Sequence, residues 1–200
     1  MVRRLLRNPT VTSTPDSYPV NARVELPIGI GRKYDRRMTD FETLIYDELN
    51  GVATITMNRP EVYNAFNEQM QREFRSLWTS LATNDDVRCV VVTGSGEKAF
   101  STGLDRAEAM GDGSESTHHG SGKMNGYTDP FNFDDPGDWL CPKANGFWKP
   151  VIAAVNGMAC GGAFYLLGEA EFIIAADHAT FFDPHVTFGM TAAYEPVQLL

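Results

Sequence analysis

Three short, unbroken apolar runs do most to limit the folds open to this chain: Cys89–Thr93 (CVVVT), Val151–Val155 (VIAAV) and Phe172–Ala176 (FIIAA). A strand with one wet face alternates apolar and polar residues. A strand apolar along its length expects cover on both faces, as in a parallel sheet flanked by helices. The intervening segments carry helical signals. Met70, Phe74, Leu77, Trp78 and Leu81 recur at helical spacing between Asn67 and Ala82. Asn67 is placed to accept from the first free N–H groups as an N-cap. Leu104–Met110 reads as a short helix, and Gly161-Gly162 opens another running to about Gly168. The order strand, helix, strand, helix, strand predicts an α/β fold with crossover connections. Upstream, Thr43–Leu49 and Val52–Met57 flank Asn50-Gly51, the strongest short hairpin signal. No internal repeat is visible.

The remaining chain is organised around this region. Residues 1–40 carry eight Lys/Arg against four acids, with no apolar core to the segment. They read as a flexible arm rather than a secretory signal, with Met38 as an alternative start. The domain is expected over 41–200. Residues 111–147 are rich in Gly, Ser, Asp, Asn and Pro and read as a loop insertion. Its aromatics Phe131, Phe133 and Trp139, with Phe147 and Trp148, offer a means of folding part of it over a pocket. The chain stops at Leu200, inside an expected helix over 195–200, so a truncated domain is expected.

Charge and cysteine content exclude several functions. The formal charge of −9, from 26 acids and 17 bases, argues against general nucleic-acid binding, which needs a basic face. No apolar run approaches the roughly 20 residues of a membrane span. Cys89, Cys141 and Cys160 are too few and scattered for a disulfide framework or a zinc site, and point to a reducing, cytoplasmic setting. His118-His119 lies among Gly and Ser and reads as solvated loop, with no metal role.

Two segments share one chemical logic. Lys98-Ala99-Phe100-Ser101-Thr102-Gly103-Leu104-Asp105 and Asn156-Gly157-Met158-Ala159-Cys160-Gly161-Gly162-Ala163 each place a Gly-rich turn between a buried strand and a helix. Free N–H groups point outward at a helix start, where the dipole favours negative charge. Glycine lets a ligand approach the backbone closely. Two such turns face to face would supply paired N–H donors for an oxyanion forming on a carbonyl carbon. Close helix packing is the alternative explanation of Gly-Gly. The phosphate-cradling motifs GxxxxGK[ST] and strand-GxGxxG are absent from the sequence.

Together with Asn58-Arg59-Pro60…Asn64-Ala65 and Lys149-Pro150 leading into VIAAVNG, these segments resemble the enoyl-CoA hydratase/isomerase (crotonase) family in order and spacing. Ala175-Ala176-Asp177, Phe181, Gly189 and Gln198 extend the likeness. The resemblance implies a spiral of ββα turns, with later C-terminal helices missing from this chain, and assembly into trimers or hexamers. It implies an acyl-CoA thioester as substrate and no separate cofactor, since CoA is part of the substrate. It places the oxyanion hole at the backbone N–H groups of Leu104 and Gly162. The adenine would lie near Thr102–Arg106, including Asp105, with Arg59 and Lys98 as candidates for the CoA phosphates.

The likeness breaks at the proton-handling positions. The family's hydratases use two glutamates as general acid and base, a task suited to paired carboxylates of split pKa. The matching positions here are Tyr165 and His185, at the family's spacing of 20 residues. Tyrosine, with an ordinary pKa near 10, is a poor base at neutrality, whereas histidine suits proton transfer there. His185 is therefore the candidate sole acid/base, and Tyr165 a candidate hydrogen-bond donor. The alternative is that Tyr165 packs on a helix face and His185 caps a loop. Some members draw an aspartate from the position of Ala193. Glu195, two residues on, is a further candidate. Asp183 reads as a turn residue, and Glu169 and Glu171 as facing solvent or another subunit. Isomerisation needs one base; hydration, hydrolysis and non-catalytic acyl-CoA binding stay open.

Overall fold

The computed structural model describes residues 41–110 and 136–189. The arm over 1–40, most of the 111–147 insertion (with Phe131, Phe133 and His118-His119), Glu195 and Gln198 lie outside the described residues. Strands β1 (Leu44–Leu49) and β2 (Val52–Met57) form the expected antiparallel hairpin, Leu49 opposite Val52. Asn50 and Gly51 between them have φ of 54° and 82°. Positive φ at both central residues is what a two-residue turn matched to strand twist requires.

Helix α1 (Glu68–Ala82) starts where the spacing predicts, with Asn67 Oδ1 accepting from Met70 N at 2.9 Å. It buries Met70, Phe74, Leu77, Trp78 and Leu81. Strands β3 (Cys89–Gly94), β5 (Val151–Val155) and β7 (Phe172–Ala175) continue the sheet in parallel, in the order β1-β2-β3-β5-β7. A second, all-parallel sheet is built from three-residue strands β4 (Ala99–Ser101), β6 (Met158–Cys160) and β8 (Thr180–Phe182). Each strand β3, β5 and β7 thus hands on to a short strand of the second sheet, and each unit adds one strand to both sheets. This is a structural repeat without a sequence repeat. Helices α2 (Arg106–Met110) and α4 (Ala163–Gly168) follow the first two units.

Three expectations are corrected. The end of the insertion is core: helix α3 (Gly137–Leu140) lies on α1, and Trp139, Leu140, Cys141 and Phe147 are buried. Trp78 stacks between Phe74 (5.8 Å) and Phe147 (5.3 Å), and its indole N–H donates to Leu140 O at 2.8 Å. Aromatic pairs of this kind add about 0.5–1.5 kcal/mol beyond area burial. Trp148 stands exposed instead.

Second, β7 is apolar but not covered. All of its residues are exposed, as are those of β8, leaving Phe172, Ile174, Phe181 and Phe182 on the surface. β7 and β8 are the outer strands of their sheets among the described residues. Apolarity marks a face to be covered; it does not say by what.

Third, Glu169 is half-buried and engaged within the chain, and Glu171, although exposed as expected, is also paired within it. Glu169 Oε2 accepts from Lys143 N (2.6 Å), Lys143 Nζ donates to Glu169 O (2.8 Å) and pairs with Glu171 Oε1 (2.7 Å). Glu171 Oε2 accepts from Val151 N (2.6 Å). These bonds tie the segment after α3 to the ends of α4 and β5. No helix of the described residues is long and apolar enough to cross a membrane.

Candidate functional site

The two Gly-rich turns meet. A Cβ built on Gly103 would lie 2.4 Å from Gly162 N and 3.0 Å from Cys160 O, so the two backbones touch with no side chain between them. Gly103 has φ of 82°, which doubly commits the position to glycine. The first turn is strapped down residue by residue. Phe66 N donates to Gly103 O (2.7 Å) and Asp105 N to Phe66 O (3.0 Å). Gly103 N donates to Ser101 Oγ (3.1 Å). In this alternation the N–H of Leu104 points away from Phe66, toward the second turn, where a Cβ on Gly162 would stand 3.3 Å from Leu104 N.

Gly162 is the N-cap of α4, and its carbonyl accepts from Tyr165 N at 3.1 Å. Among the described residues, the N–H groups of Leu104 and Gly162 find no acceptor within the chain. Two adjacent unsatisfied donors, one at a helix start, are the arrangement that holds a developing oxyanion. With only six residues, α4 contributes mainly its first N–H groups rather than a large dipole.

Tyr165 and His185, the expected proton-handling candidates, occupy different surroundings. Tyr165 lies in the first turn of α4, 5% exposed, its ring 3.5 Å from the Cβ position of Gly162. Its carbonyl accepts from the Cys141 thiol at 3.3 Å. His185 opens a 3-10 turn, His185–Phe188, just after Pro184. Pro184 Cγ is 3.6 Å, and Thr102 O 3.8 Å, from the Cβ position of Gly161, so the loop carrying His185 abuts both turns. The His185 N–H donates to Asp183 Oδ1 at 3.0 Å, and the ring Nδ1 bonds the same oxygen. Burial alone would raise the Asp183 carboxyl. The His185 N–H and ring, with the imidazole charge, outweigh it and hold it below the ordinary aspartate range. Burial pushes the Cys160 thiol up, and the Asp183 charge adds to this, which puts Asp183 beside the second turn. Asp183 is thus a partner of His185 and not a plain turn residue.

The structure separates the CoA-contact candidates. Arg59 Nη1 pairs with Asp105 Oδ2 at 2.8 Å and donates to Ala65 O at 2.7 Å, both ionic side chains being largely covered. The pair braces the first turn. Lys98 is exposed, its Nζ 5.9 Å from the centre of the Tyr63 ring. Thr102 N donates to Tyr63 O (3.2 Å), and Arg106 is exposed at the start of α2.

Asn64 has a larger part than the sequence suggests. It is fully buried with φ of 55°, and its Oδ1 accepts from Arg59 N while Nδ2 donates to Ser95 O and Ala99 O. Asn156 does the like across the other loop, accepting from Gly94 N and donating to Gly96 O. A lone Asn in a loop carries no sequence signal of such bracing. No group of three or more His, Cys, Asp or Glu among the described residues could hold a metal ion.

This fold, a spiral of paired strands, is that of solved enoyl-CoA hydratase/isomerase structures. One from Mycobacterium paratuberculosis is 32% identical with a TM-score of 0.66, over 80% of this chain and 57% of that one. Another, from Marinobacter aquaeolei, is 28% identical with a TM-score of 0.65, over 79% and 58%. The enoyl-CoA hydratase/isomerase family model matches residues 47–200, and the chain belongs to that family. Carnitinyl-CoA dehydratase of Escherichia coli K12 is 34% identical over 149 residues, 74% of this chain and 51% of the relative. The chain therefore spans about half the length of the curated relatives it matches.

Proposed function

We propose that this protein acts on acyl-CoA thioesters, holding the thioester oxygen between the N–H groups of Leu104 and Gly162. The observation that carries this reading is the contact of the two turns, which leaves those donors adjacent and without an acceptor among the described residues. Removal of an α-proton turns the thioester into an enolate, whose charge sits on that oxygen. Each aimed donor is worth about 2.7–4 kcal/mol in such a transition state. His185 is the acid/base that takes and returns the proton. Tyr165, with its ring beside Gly162, lines the same turn as a candidate donor. The chemistry best matched to one base is proton transfer within the acyl chain, or elimination of the lyase type. The dehydratase name of a 34% identical relative supports the lyase direction. The CoA portion would lie along Thr102–Arg106, with exposed Lys98 offered to a phosphate and the Arg59–Asp105 pair shaping the loop. A trimer or hexamer and a cytoplasmic location accompany this reading.

A second reading is a non-catalytic acyl-CoA-binding subunit. The expectation that Tyr165 and His185 stand where the family's hydratases carry two glutamates favours it. The test is a mass-spectrometric product screen in oxygen-18 water with enoyl-, aryl- and oxo-acyl-CoA esters, wild type beside His185→Ala. A water adduct or isomer that vanishes in the variant supports the enzyme with His185 as base. Free CoA marks a hydrolase. Binding with no product from any thioester would overturn catalysis in favour of the binding subunit.

A further inference from the structure

We infer that Asp183 is the positioning residue for His185, fixing which ring nitrogen carries the proton and where the ring points. The inference rests on the proposed role of His185. Asp183 Oδ1 takes two bonds from one residue, the backbone N–H of His185 and its ring Nδ1. A backbone bond alone would suffice to cap the 3-10 turn at His185–Phe188. The ring bond is the additional feature. An ionised carboxylate only accepts hydrogen bonds, so Nδ1 must be the protonated nitrogen. In the neutral imidazole Nε2 is then the basic one.

The mounting of the pair places it at the site. Asp183 and His185 flank Pro184, whose ring rests against Gly161, next to the Gly162 N–H. The Asp183 carboxylate is close enough to this turn to act on Cys160, directly before Gly161. Both side chains are mostly covered, keeping 17% (His185) and 26% (Asp183) of their surface. A ring so held cannot exchange tautomers or swing without breaking the bond to Oδ1. In this arrangement Asp183 acts through the imidazole. Proline between the two fixes φ at the intervening residue and narrows the loop's freedom.

The test uses the whole protein and two independent readouts. Nitrogen-15 NMR of labelled histidine reads the tautomer directly, with the His185 signal among the four histidines assigned by its loss in His185→Ala. Wild type is expected to show Nδ1 protonated and Nε2 unprotonated in the neutral ring. Asp183→Ser keeps an oxygen able to cap the turn but is too short to hold the ring. It is expected to give a mixture of tautomers and to lower kcat at least about tenfold with KM little changed, within the 10²–10⁴ that general acid–base catalysis supplies. Asp183→Asn retains an acceptor oxygen and is expected to recover the tautomer. A wild-type signal with Nε2 protonated would overturn the inference. So would an Asp183→Ser protein that keeps the wild-type tautomer and kcat. If His185→Ala turns substrate over normally, the proposed base is wrong, while the NMR arm still decides whether Asp183 sets the tautomer. Should Asp183→Ser not fold, the wild-type and Asp183→Asn spectra carry the test.

Discussion

Gly162→Ala separates the candidate oxyanion hole from the fold that carries it. The backbone at Gly162 has φ −57° and ψ −10°, a helical conformation that alanine adopts freely. Its new methyl would sit 3.3 Å from Gly103 Cα and Leu104 N and 3.5 Å from the Tyr165 ring. An oxygen accepting from Leu104 N–H belongs at about 2.9 Å from that nitrogen. The methyl occupies this space and withdraws the donor from the substrate. Losing one such donor lowers kcat about 10²–10³-fold. The structural effect is smaller, because the neighbours need give only by tenths of an ångström. Taking the low end of the range for overpacking, about 1 kcal/mol is expected. For a domain of this size that is roughly 2–4 °C in Tm. Gly103→Ala supplies the contrast. Its methyl would meet Gly162 N at 2.4 Å on an 82° φ, and backbone cannot step aside there. That variant is expected to lose more than about 3 kcal/mol of stability, the clash adding to left-handed strain. Circular dichroism melting and turnover of whichever acyl-CoA the product screen identifies are the assays. A folded Gly162→Ala protein with kcat within about threefold of wild type would refute the reasoning, since a lost aimed donor cannot be that small.

Three further outcomes are expected. Trp78→Phe removes the indole donor from Leu140 O inside the core. A buried carbonyl left without a partner costs about 1–3 kcal/mol, so the urea midpoint should fall at constant m-value, and an unchanged midpoint would refute it. Glu169 and Glu171 should oppose each other in pH. Burial raises the Glu169 carboxyl despite its bonds to Lys143 and Ala144, so its contribution to stability is full below the ordinary glutamate range and is lost as pH rises through its folded value. Glu169→Gln should therefore melt higher than wild type at neutral pH and gain nothing in acid. Burial also opposes the charge of Glu171, but the bonds from Lys143 and Val151 outweigh it and lower the carboxyl. Glu171→Gln should thus lose stability at neutral pH and show a flatter acid limb; identical pH profiles for the two variants would refute this pairing. Finally, the exposed apolar strip predicts concentration-dependent self-association that Ile174→Lys with Phe182→Lys abolishes in sedimentation velocity.

What was legible in the sequence was local or strongly patterned. The hairpin at Asn50-Gly51, the start of α1 at Asn67 and the apolar strands all follow from turn chemistry and side-chain period. The second sheet was not legible. Its strands Ala99–Ser101, Met158–Cys160 and Thr180–Phe182 have three residues each, too few to show a period, and their pairing is set by where the first sheet delivers the chain. The core role of segment 136–147 is not legible because its composition is that of a loop. Its few apolar residues nevertheless cover Trp78, a choice only tertiary packing makes. The bracing by Asn64 and the Asp183–His185 bond were likewise hidden, since neither residue type nor spacing announces a particular partner.

The parts of the candidate site differ in how firmly the fold holds them. The donors at Leu104 and Gly162 are backbone atoms. Their relative position is set by the touching turns, by the 2.4 Å that excludes a side chain at Gly103, and by Phe66 bonding on either side of Leu104. Moving these donors apart means moving the two turns, although a methyl at Gly162 can still block access to them. The candidate proton-handling groups, Tyr165 and His185, are side chains on the first turn of α4 and on the loop after β8. Neither side chain takes part in the strand pairing that sets the register. The backbone donors are therefore fixed by the fold, whereas the candidate proton positions depend on side chains alone. An imidazole presents one defined basic nitrogen when its ring is held in one tautomer. The carboxylate that would do so stands two residues before it, on the loop that already leans on Gly161.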